Sequence, residues 1–136
     1  MDLKLEAIVI PVSDVDRAKK FYQEALGFRY RGEASYRIVQ LTPPESQCSI
    51  HIGAGITHMA PGACQGMYLI TSDIEATRTE LVARGVKVSE PFHFGPKGQT
   101  PGLEPGRADY NSYMSFSDAD GNGWWIQEVK KRAPGR

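Results

Sequence analysis

The chain has 136 residues, of which 24% are charged and 40% hydrophobic, and its sixteen basic and sixteen acidic side chains give a formal net charge of zero. This length suits a single domain, or two half-size modules that share a core, and the composition is that of a soluble globular protein. A balanced charge gives no reason to expect a nucleic acid or an anionic membrane as partner. No apolar run reaches the length of a membrane span, so we expect no membrane partner.

The cysteine count and the first residues bear on location. Cys48 and Cys64 are too few for a disulfide framework or a zinc site. The first residues lack the basic-then-apolar order of a signal peptide. We therefore expect a reduced cytoplasmic protein with two buried thiols.

The first half of the chain has the pattern of one strand, one helix and three strands. Residues 5–12 are short, apolar and β-branched, which predicts a buried strand. Ser13 and Asp16 approximate a capping box that begins a helix, and Gly27 ends it. Three further strands are predicted, over residues 28–31, 36–41 and 48–52. We assign this βαβββ module to residues 3–53.

The opening pattern returns 59 residues later, after a linker over residues 54–65. A strand over residues 67–71 is followed by a capping box of Ser72 and Glu75, a helix that ends at Gly85, and a strand over residues 86–88. Such an internal repeat is the strongest organisational signal in the chain. We assign the second module to residues 66–130 and a tail to residues 131–136, within one domain spanning residues 1–136.

The second module contains a long segment, residues 92–111, with four glycines and three prolines. A loop of this length is usually functional or disordered. The aromatic and titratable residues that flank it would close over a ligand if the loop is a lid, or be buried if it is a dimer contact; they are Phe92, His93, Phe94 and Tyr110. Two strands, over residues 112–117 and 124–129, then close the sheet.

The turn between those last two strands, residues 118–123, has the oxygen-bearing side chains that begin a calcium-binding loop. That loop requires a bidentate glutamate at its twelfth position, which here is Val129, and a strand follows instead of a helix. The Asp-Gly and Asn-Gly pairs are typical of a tight turn. We therefore predict a turn and no calcium site.

Three motifs of the chain resemble the vicinal oxygen chelate superfamily, the group of glyoxalase I, bleomycin-resistance proteins and extradiol dioxygenases. They are PVSDVDRAKKFY at residues 11–22, SDIEAT at residues 72–77 and DADGNG at residues 118–123. The resemblance covers about residues 3–130. It implies an α+β fold in which two βαβββ modules contribute eight strands to two four-stranded mixed sheets that curl around a cup, and it implies a homodimer. It says little about function, because the superfamily holds lyases, isomerases, dioxygenases and drug binders.

The resemblance also implies where a metal ion would bind in metal-using members, on four ligands that are usually His, Glu, His and Glu. The corresponding positions here are Ala7, His51, Gly66 and Trp125. Ala, Gly and Trp cannot hold a metal, and one imidazole is not a site. We therefore expect no metal and no cofactor.

Three residues near these positions are candidates for binding or chemistry. His51 is either a polar anchor or general base in the cup, or a half-buried strand residue bonded to a neighbour. Trp124 and Trp125 point to opposite faces, and Trp125 is either a stacking surface for a ligand or a plug that fills the space of the metal. Glu128 faces away from Trp125 unless a bulge intervenes, and a solvated strand position is the alternative to a catalytic role.

The remaining candidates are hydrogen-bonding and aromatic groups, of which Tyr68 and Gln127 share the faces of the ligand positions Gly66 and Trp125. Tyr68 and Gln127 are either ligand contacts or core and edge residues, and Phe92 and His93 begin the long segment. Together these residues predict a protein that binds a small apolar or aromatic molecule. The alternative is an enzyme of lyase, isomerase or dioxygenase type, either metal-free with His51 and Glu128 as acid and base or with an altered metal site. The sequence leaves both open.

Overall fold

The computed structural model describes residues 1–35 and 37–136. Tyr36, with which one predicted strand begins, lies outside the described residues. The chain forms two compact units, of which the first is residues 1–65 with the turn 118–122 and the second is residues 66–117 with 123–136. The fold class is α+β, as predicted, because each unit combines a mixed sheet with a helix.

The first unit contains one helix and a four-stranded sheet. Its elements are β1 (Ala7–Val9), α1 (Val15–Lys20) continued by one π-helical turn (Phe21–Ala25), β2 (Arg29–Ser35), β3 (Ile38–Thr42) and β4 (Ser49–Ile52). The strand order is β1-β4-β3-β2, with β1 parallel to β4 and the other pairs antiparallel. This order of elements is the predicted βαβββ module, although β1 is shorter than the strand predicted over residues 5–12.

The second unit contains one helix and a five-stranded sheet. Its elements are β5 (Met67–Thr71), α2 (Ile74–Ala83), β6 (Phe92–Gly95), β7 (Gly98–Pro101), β8 (Tyr113–Ser117) and β9 (Gly123–Glu128). The strand order is β5-β9-β8-β6-β7, with β5 parallel to β9. No helix in the described part of the chain is long and apolar enough to cross a membrane.

Two predictions about the second unit are wrong. Residues 86–88 form no strand, and Val86 is instead a buried core residue after the helix. The place of that strand is taken by β6, which pairs with β7 through a tight turn at Pro96 and Lys97. The segment 92–111 therefore begins with a hairpin instead of a loop, because Phe92 and Phe94 alternate with polar residues up to a turn-forming Gly-Pro-Lys-Gly sequence. The described residues thus hold nine strands where the resemblance implied eight.

Both helices are capped one residue later than predicted. The carboxylate of Asp14 accepts a hydrogen bond from the Arg17 backbone N–H at 3.0 Å, and that of Asp73 accepts one from Ala76 at 3.0 Å. A carboxylate at this position also interacts favourably with the helix dipole, which explains why Asp outcompetes the preceding Ser. Ser13 instead donates to the carboxylate of Asp120.

Each unit has its own apolar core. The buried apolar side chains of the first unit include Ile10, Ala18, Tyr22, Phe28, Leu41, Ile50 and Ile52. Those of the second include Met67, Ile74, Leu81, Met114, Phe116, Trp124 and Ile126. Alternation along β9 buries Trp124 and Ile126 on the same face as the core residues of β5 and β8. The opposite face of β9 is therefore the one that carries Trp125 and Gln127.

The turn at residues 118–122 belongs to the first unit and is held by a buried carboxylate. Asp118 accepts hydrogen bonds from the Tyr22 hydroxyl at 2.7 Å and the Asn122 side-chain amide at 2.8 Å. It also accepts the backbone N–H groups of Asp120 and Asn122. The Asn122 amide donates to the Pro11 carbonyl and accepts from the Cys64 N–H. The oxygen-bearing side chains of this turn are thus engaged in structural hydrogen bonds.

Candidate functional site

Five aromatic side chains lie together on one face of the second unit's sheet, and we call them the aromatic cluster. They come from four different strands and are Tyr68, Phe92, Phe94, Tyr113 and Trp125. Strand register brings them together. Trp125 lies opposite Tyr68 on one side and Ser115 on the other, and Phe92 lies opposite Tyr113.

Trp125 is the centre of the aromatic cluster. Its ring centroid lies 5.4 Å from that of Tyr113, 5.5 Å from Phe92, 5.6 Å from Tyr68 and 5.9 Å from Phe94. Phe94 stacks on Trp125 with an interplanar angle of 19°, whereas Phe92 meets it edge-on at 85°. These are the offset and edge-to-face arrangements that aromatic rings prefer.

The aromatic cluster is buried at one end and open at the other. Phe92 is buried, and Tyr113 and Trp125 are half-buried. Tyr68 and Phe94 are 54% and 51% exposed. Their rings flank Trp125, so an apolar surface made of large rings faces outward on this side of the sheet.

A polar group, Gln127, adjoins the aromatic cluster on the same face of β9. Its Nε2 donates to the Tyr110 carbonyl at 2.8 Å and lies 3.2 Å from the Tyr113 hydroxyl oxygen. Gln127 is 8% exposed. Four residues that were predicted as ligand contacts are therefore neighbours in the structure: Tyr68, Phe92, Trp125 and Gln127.

Two members of the aromatic cluster were not among the ligand-binding residues named from the sequence. Phe94 was considered only as a residue flanking a possible lid, and Tyr113 was not considered. Alternation was the signal for Phe94, which is two residues after Phe92. Cross-strand pairing was the signal for Tyr113, which lies opposite Gln127 in the β8–β9 hairpin. His93, which was named, lies between the two phenylalanines on the other face of β6, where its Nδ1 is 2.7 Å from the Gly102 carbonyl oxygen.

Glu128 lies apart from the aromatic cluster. The pairing of β9 with β5 and β8 is continuous, so no bulge turns Glu128 toward the face of Trp125. Its carboxylate is buried on the helix side and accepts the backbone N–H of Ile74 at 3.0 Å. Hydrogen bonds from Arg107 lower the pKa of Glu128 against the opposing effect of burial.

His51 belongs to the first unit and is half-buried on β4. It lies between Val9 of β1 and Gln40 of β3 in the strand register. Its Nε2 is 3.0 Å from the Gln40 side-chain oxygen, so the tautomer with a proton on Nε2 donates to that oxygen. This contact orients the imidazole, which suits either a polar anchor or a structural strand histidine.

The residues at the family's metal-ligand positions do not fit a metal ion. Ala7, Gly66 and Trp125 carry no donor atom that binds a divalent ion, which leaves the imidazole of His51. Within residues 1–35 and 37–136, no group of three or more His, Cys, Asp or Glu is placed to hold a metal. The donor set therefore differs from the four-ligand site of metal-using members.

Neither cysteine is in a disulfide bond, and both are half-buried. Burial, together with the nearby carboxylates of Glu6 and Asp118 respectively, raises the pKa of the Cys48 and Cys64 thiols. A raised thiol pKa keeps sulfur protonated at neutral pH and therefore weakly nucleophilic. Neither cysteine has the environment of a reactive nucleophile.

Comparison with known proteins places the chain in a family. Residues 4–126 match the Glyoxalase/Bleomycin resistance protein/Dioxygenase superfamily. A search of the curated proteins found no match. Among solved structures, TnmS3, an antibiotic binding protein from Streptomyces sp. CB03234, is 28% identical with a TM-score of 0.75, covering 94% of this chain and 97% of that one.

Two further solved structures are similar. A glyoxalase/bleomycin resistance protein from Streptomyces sp. CB03234 is 29% identical with a TM-score of 0.69, covering 90% of this chain and 97% of that one. A member of the superfamily from Sphaerobacter thermophilus DSM 20745 is 29% identical with a TM-score of 0.70, covering 93% and 98%. With the family match extending over most of its residues, this chain belongs to the Glyoxalase/Bleomycin resistance protein/Dioxygenase superfamily.

Proposed function

We propose that this protein binds a small apolar or aromatic molecule on the aromatic cluster and holds it without covalent chemistry. The observation that carries the proposal is the position of Trp125 between two aromatic rings, Tyr68 and Phe94, that are each more than half exposed. Soluble proteins bury most of their large aromatic side chains, and a contiguous exposed group of them marks a surface that something else covers.

The geometry suits a flat ligand. The rings of Phe94 and Trp125 are nearly parallel, and Tyr68 is tilted by 36° from Trp125, so a planar molecule gains stacking contacts on the exposed side of these rings. Each aromatic pair contributes about 0.5–1.5 kcal/mol beyond the area it buries. Two or three such contacts support binding in the micromolar range when combined with apolar burial.

Two further observations support binding over catalysis. One of the solved structures similar to this chain is that of TnmS3, an antibiotic binding protein. The family's metal-ligand positions here hold Ala, Gly and Trp, so the donor set for the family's usual metal chemistry is missing. A member of this family with an aromatic face and without those ligands suits sequestration of a small molecule.

The test is equilibrium binding of 2-naphthol, a planar aromatic probe, measured by calorimetry. Phe94→Ala removes one of the two exposed rings of the aromatic cluster, at a position that contributes little to the core. We expect this variant to bind 2-naphthol about tenfold more weakly. Tyr30→Ala, an exposed aromatic residue of the first unit, is the matched control and leaves binding unchanged. Equal weakening of 2-naphthol binding by both variants contradicts the proposed site, and so does unchanged binding in both.

An enzyme of the same superfamily is the second candidate. The observation that favours it is the imidazole of His51, half-buried and oriented by Gln40, which suits a general base or a single ligand in an altered metal site. Glu128, the other acid–base candidate, points to the helix face and is occupied by Arg107. His51→Asn removes the base while keeping polarity, and loss of turnover without loss of 2-naphthol binding would favour this candidate.

The proposal also includes a homodimer located in the cytoplasm. The family resemblance supports the dimer, and two cysteines that form no disulfide bond support a reducing compartment. Sedimentation equilibrium over a range of protein concentrations tests the dimer, for which we expect twice the chain mass of 15.0 kDa.

A further inference from the structure

We infer that Gln127 and Tyr113 form the polar end of the aromatic site and select aromatic ligands that carry a hydrogen-bond donor on the ring, such as a phenol or an aromatic N–H. This inference rests on the proposed function and adds the chemical class of ligand. It also assigns a role to Tyr113.

The orientation of the Gln127 amide follows from its neighbours. The Tyr110 carbonyl oxygen, 2.8 Å away, can only accept a hydrogen bond, so the nitrogen of the amide must face it. The same nitrogen lies 3.2 Å from the Tyr113 hydroxyl oxygen. Both N–H groups of Gln127 are therefore used, and the side-chain oxygen Oε1 is the group left for another partner.

Gln127 Oε1 is open to an incoming donor. Within the residues that the structure describes, no hydrogen bond reaches it, whereas every fully buried side-chain nitrogen or oxygen in that part of the chain has a partner. Oε1 is therefore not fully buried, although Gln127 as a whole is only 8% exposed. An acceptor in a nearly buried residue has little access to water and gains most from a partner that a ligand supplies.

Tyr113 supplies the complementary donor. Its hydroxyl oxygen accepts from Gln127, which leaves its own proton for another acceptor. Its ring packs at 5.7 Å on Phe92 and at 5.4 Å on Trp125, so the hydroxyl is attached directly to the aromatic cluster. A phenolic ligand stacked on this cluster can donate to Gln127 Oε1 and accept from Tyr113, whereas the corresponding methyl ether cannot donate.

The backbone that orients Gln127 is itself held in place. Tyr110 has a positive φ of 72°, which is uncommon for a residue with a side chain. Its N–H donates to the Glu128 carbonyl at 2.9 Å, and its hydroxyl accepts from the Ala133 N–H at 2.8 Å. These contacts keep the Tyr110 carbonyl fixed beside β9, and with it the direction of the Gln127 amide.

The experiment compares 2-naphthol with 2-methoxynaphthalene, which has the same rings and no donor. We expect the wild-type protein to bind 2-naphthol about tenfold more tightly, the effect of one hydrogen bond to a desolvated acceptor. Gln127→Met keeps the side-chain length, removes the acceptor, and is expected to abolish this preference while the affinity for 2-methoxynaphthalene stays within about twofold. A preference that survives in Gln127→Met overturns the inference.

Tyr113→Phe is the second variant, in case Gln127→Met does not fold. It keeps the ring and removes the hydroxyl, and we expect the affinity for both probes to fall about threefold while the preference for 2-naphthol remains, because the oxygen of either probe can accept from Tyr113. Equal binding of both probes by the wild-type protein, weakened for both by Phe94→Ala, overturns this inference and leaves the proposed function standing. No binding of either probe overturns both.

Discussion

The guanidinium of Arg107 makes two parallel hydrogen bonds to the carboxylate of Glu128, from Nε to Oε1 at 2.9 Å and from Nη2 to Oε2 at 2.8 Å. Glu128 is 1% exposed, and the N–H of Ile74 at the start of α2 completes its hydrogen bonding. Arg107 also reaches Glu75 at 2.9 Å and adopts a positive φ of 52°. This ion pair holds the segment after β7 against β9 and the helix, which is a structural role.

Glu128→Gln is expected to lower the free energy of unfolding by about 2 kcal/mol, because it removes charge-assisted hydrogen bonds at a buried position. Glu80→Gln is the matched control, because Glu80 pairs with Arg84 one helical turn later and both side chains are exposed. We expect this variant to lower the free energy of unfolding by less than about 0.5 kcal/mol. Urea unfolding followed by circular dichroism measures both. Equal effects would show that the buried pair adds no more than a surface pair.

The stability of the protein is expected to fall in acid. Hydrogen bonds from Arg107 lower the pKa of Glu128 from its ordinary value of 4.5. Burial acts to raise the pKa of Asp120, but hydrogen bonds from Ser13 and the charge of Arg17 outweigh it, so that pKa is also lowered from 3.8. The unfolded chain therefore binds protons more readily than the folded one at low pH.

The corresponding stabilisation is fully present above the ordinary pKa values and is lost as the pH falls through the lowered ones. We expect a melting temperature that is nearly constant from about pH 8 to pH 5.5 and declines below about pH 4.5. Glu128→Gln is expected to decline less steeply, since it has one fewer carboxyl group to protonate. Parallel curves for the two proteins would argue against Glu128 as a source of the acid sensitivity.

Gly62 contacts the turn at residues 118–122, and its substitution is expected to disturb that turn. It has a positive φ of 86°, and a Cβ there would clash with the Asp120 carbonyl oxygen. Gly66→Ala is a control, because Gly66 also has a positive φ, of 76°, but has open space around it. We expect the free energy of unfolding, measured by thermal unfolding, to fall by about 1 kcal/mol for Gly66→Ala and by about 3 kcal/mol for Gly62→Ala.

Addition of nickel, zinc or manganese, or of EDTA, is expected to change the melting temperature by less than about 1 °C, because His51 alone cannot bind an ion tightly enough to stabilise the fold. Metal content of protein purified without added metal or chelator is the companion measurement. A stoichiometric ion, or a rise in melting temperature that His51→Asn abolishes, would show an altered metal site and favour the enzyme candidate.

Much of the fold could be predicted because its signals are local. The repeat of strand, acidic helix start and helix-ending glycine depends on residues a few positions apart, and both modules form in the expected order except at residues 86–101. The opposite orientation of Trp124 and Trp125 follows from the alternation of side chains along one strand. The wrong strand over residues 86–88 arose because three alternating residues after a helix-ending glycine repeat the pattern of the first module, but so short a pattern does not tell a strand from a connection that buries one side chain.

The sequence by itself determined the family, the α+β class and the face of β9 that carries Trp125 and Gln127. Only the tertiary structure decided which other rings lie around Trp125, because Tyr68 reaches it through the pairing of β5 with β9, and Phe92 and Phe94 reach it through the pairing of β6 with β8, strands that are distant in the sequence. It likewise decided that Glu128 pairs with Arg107 and that Gln127 turns its oxygen away from Tyr110. Alternation within a strand tells which side chains share a face, whereas the neighbours of that face depend on strand order and register, which are set by contacts between distant parts of the chain.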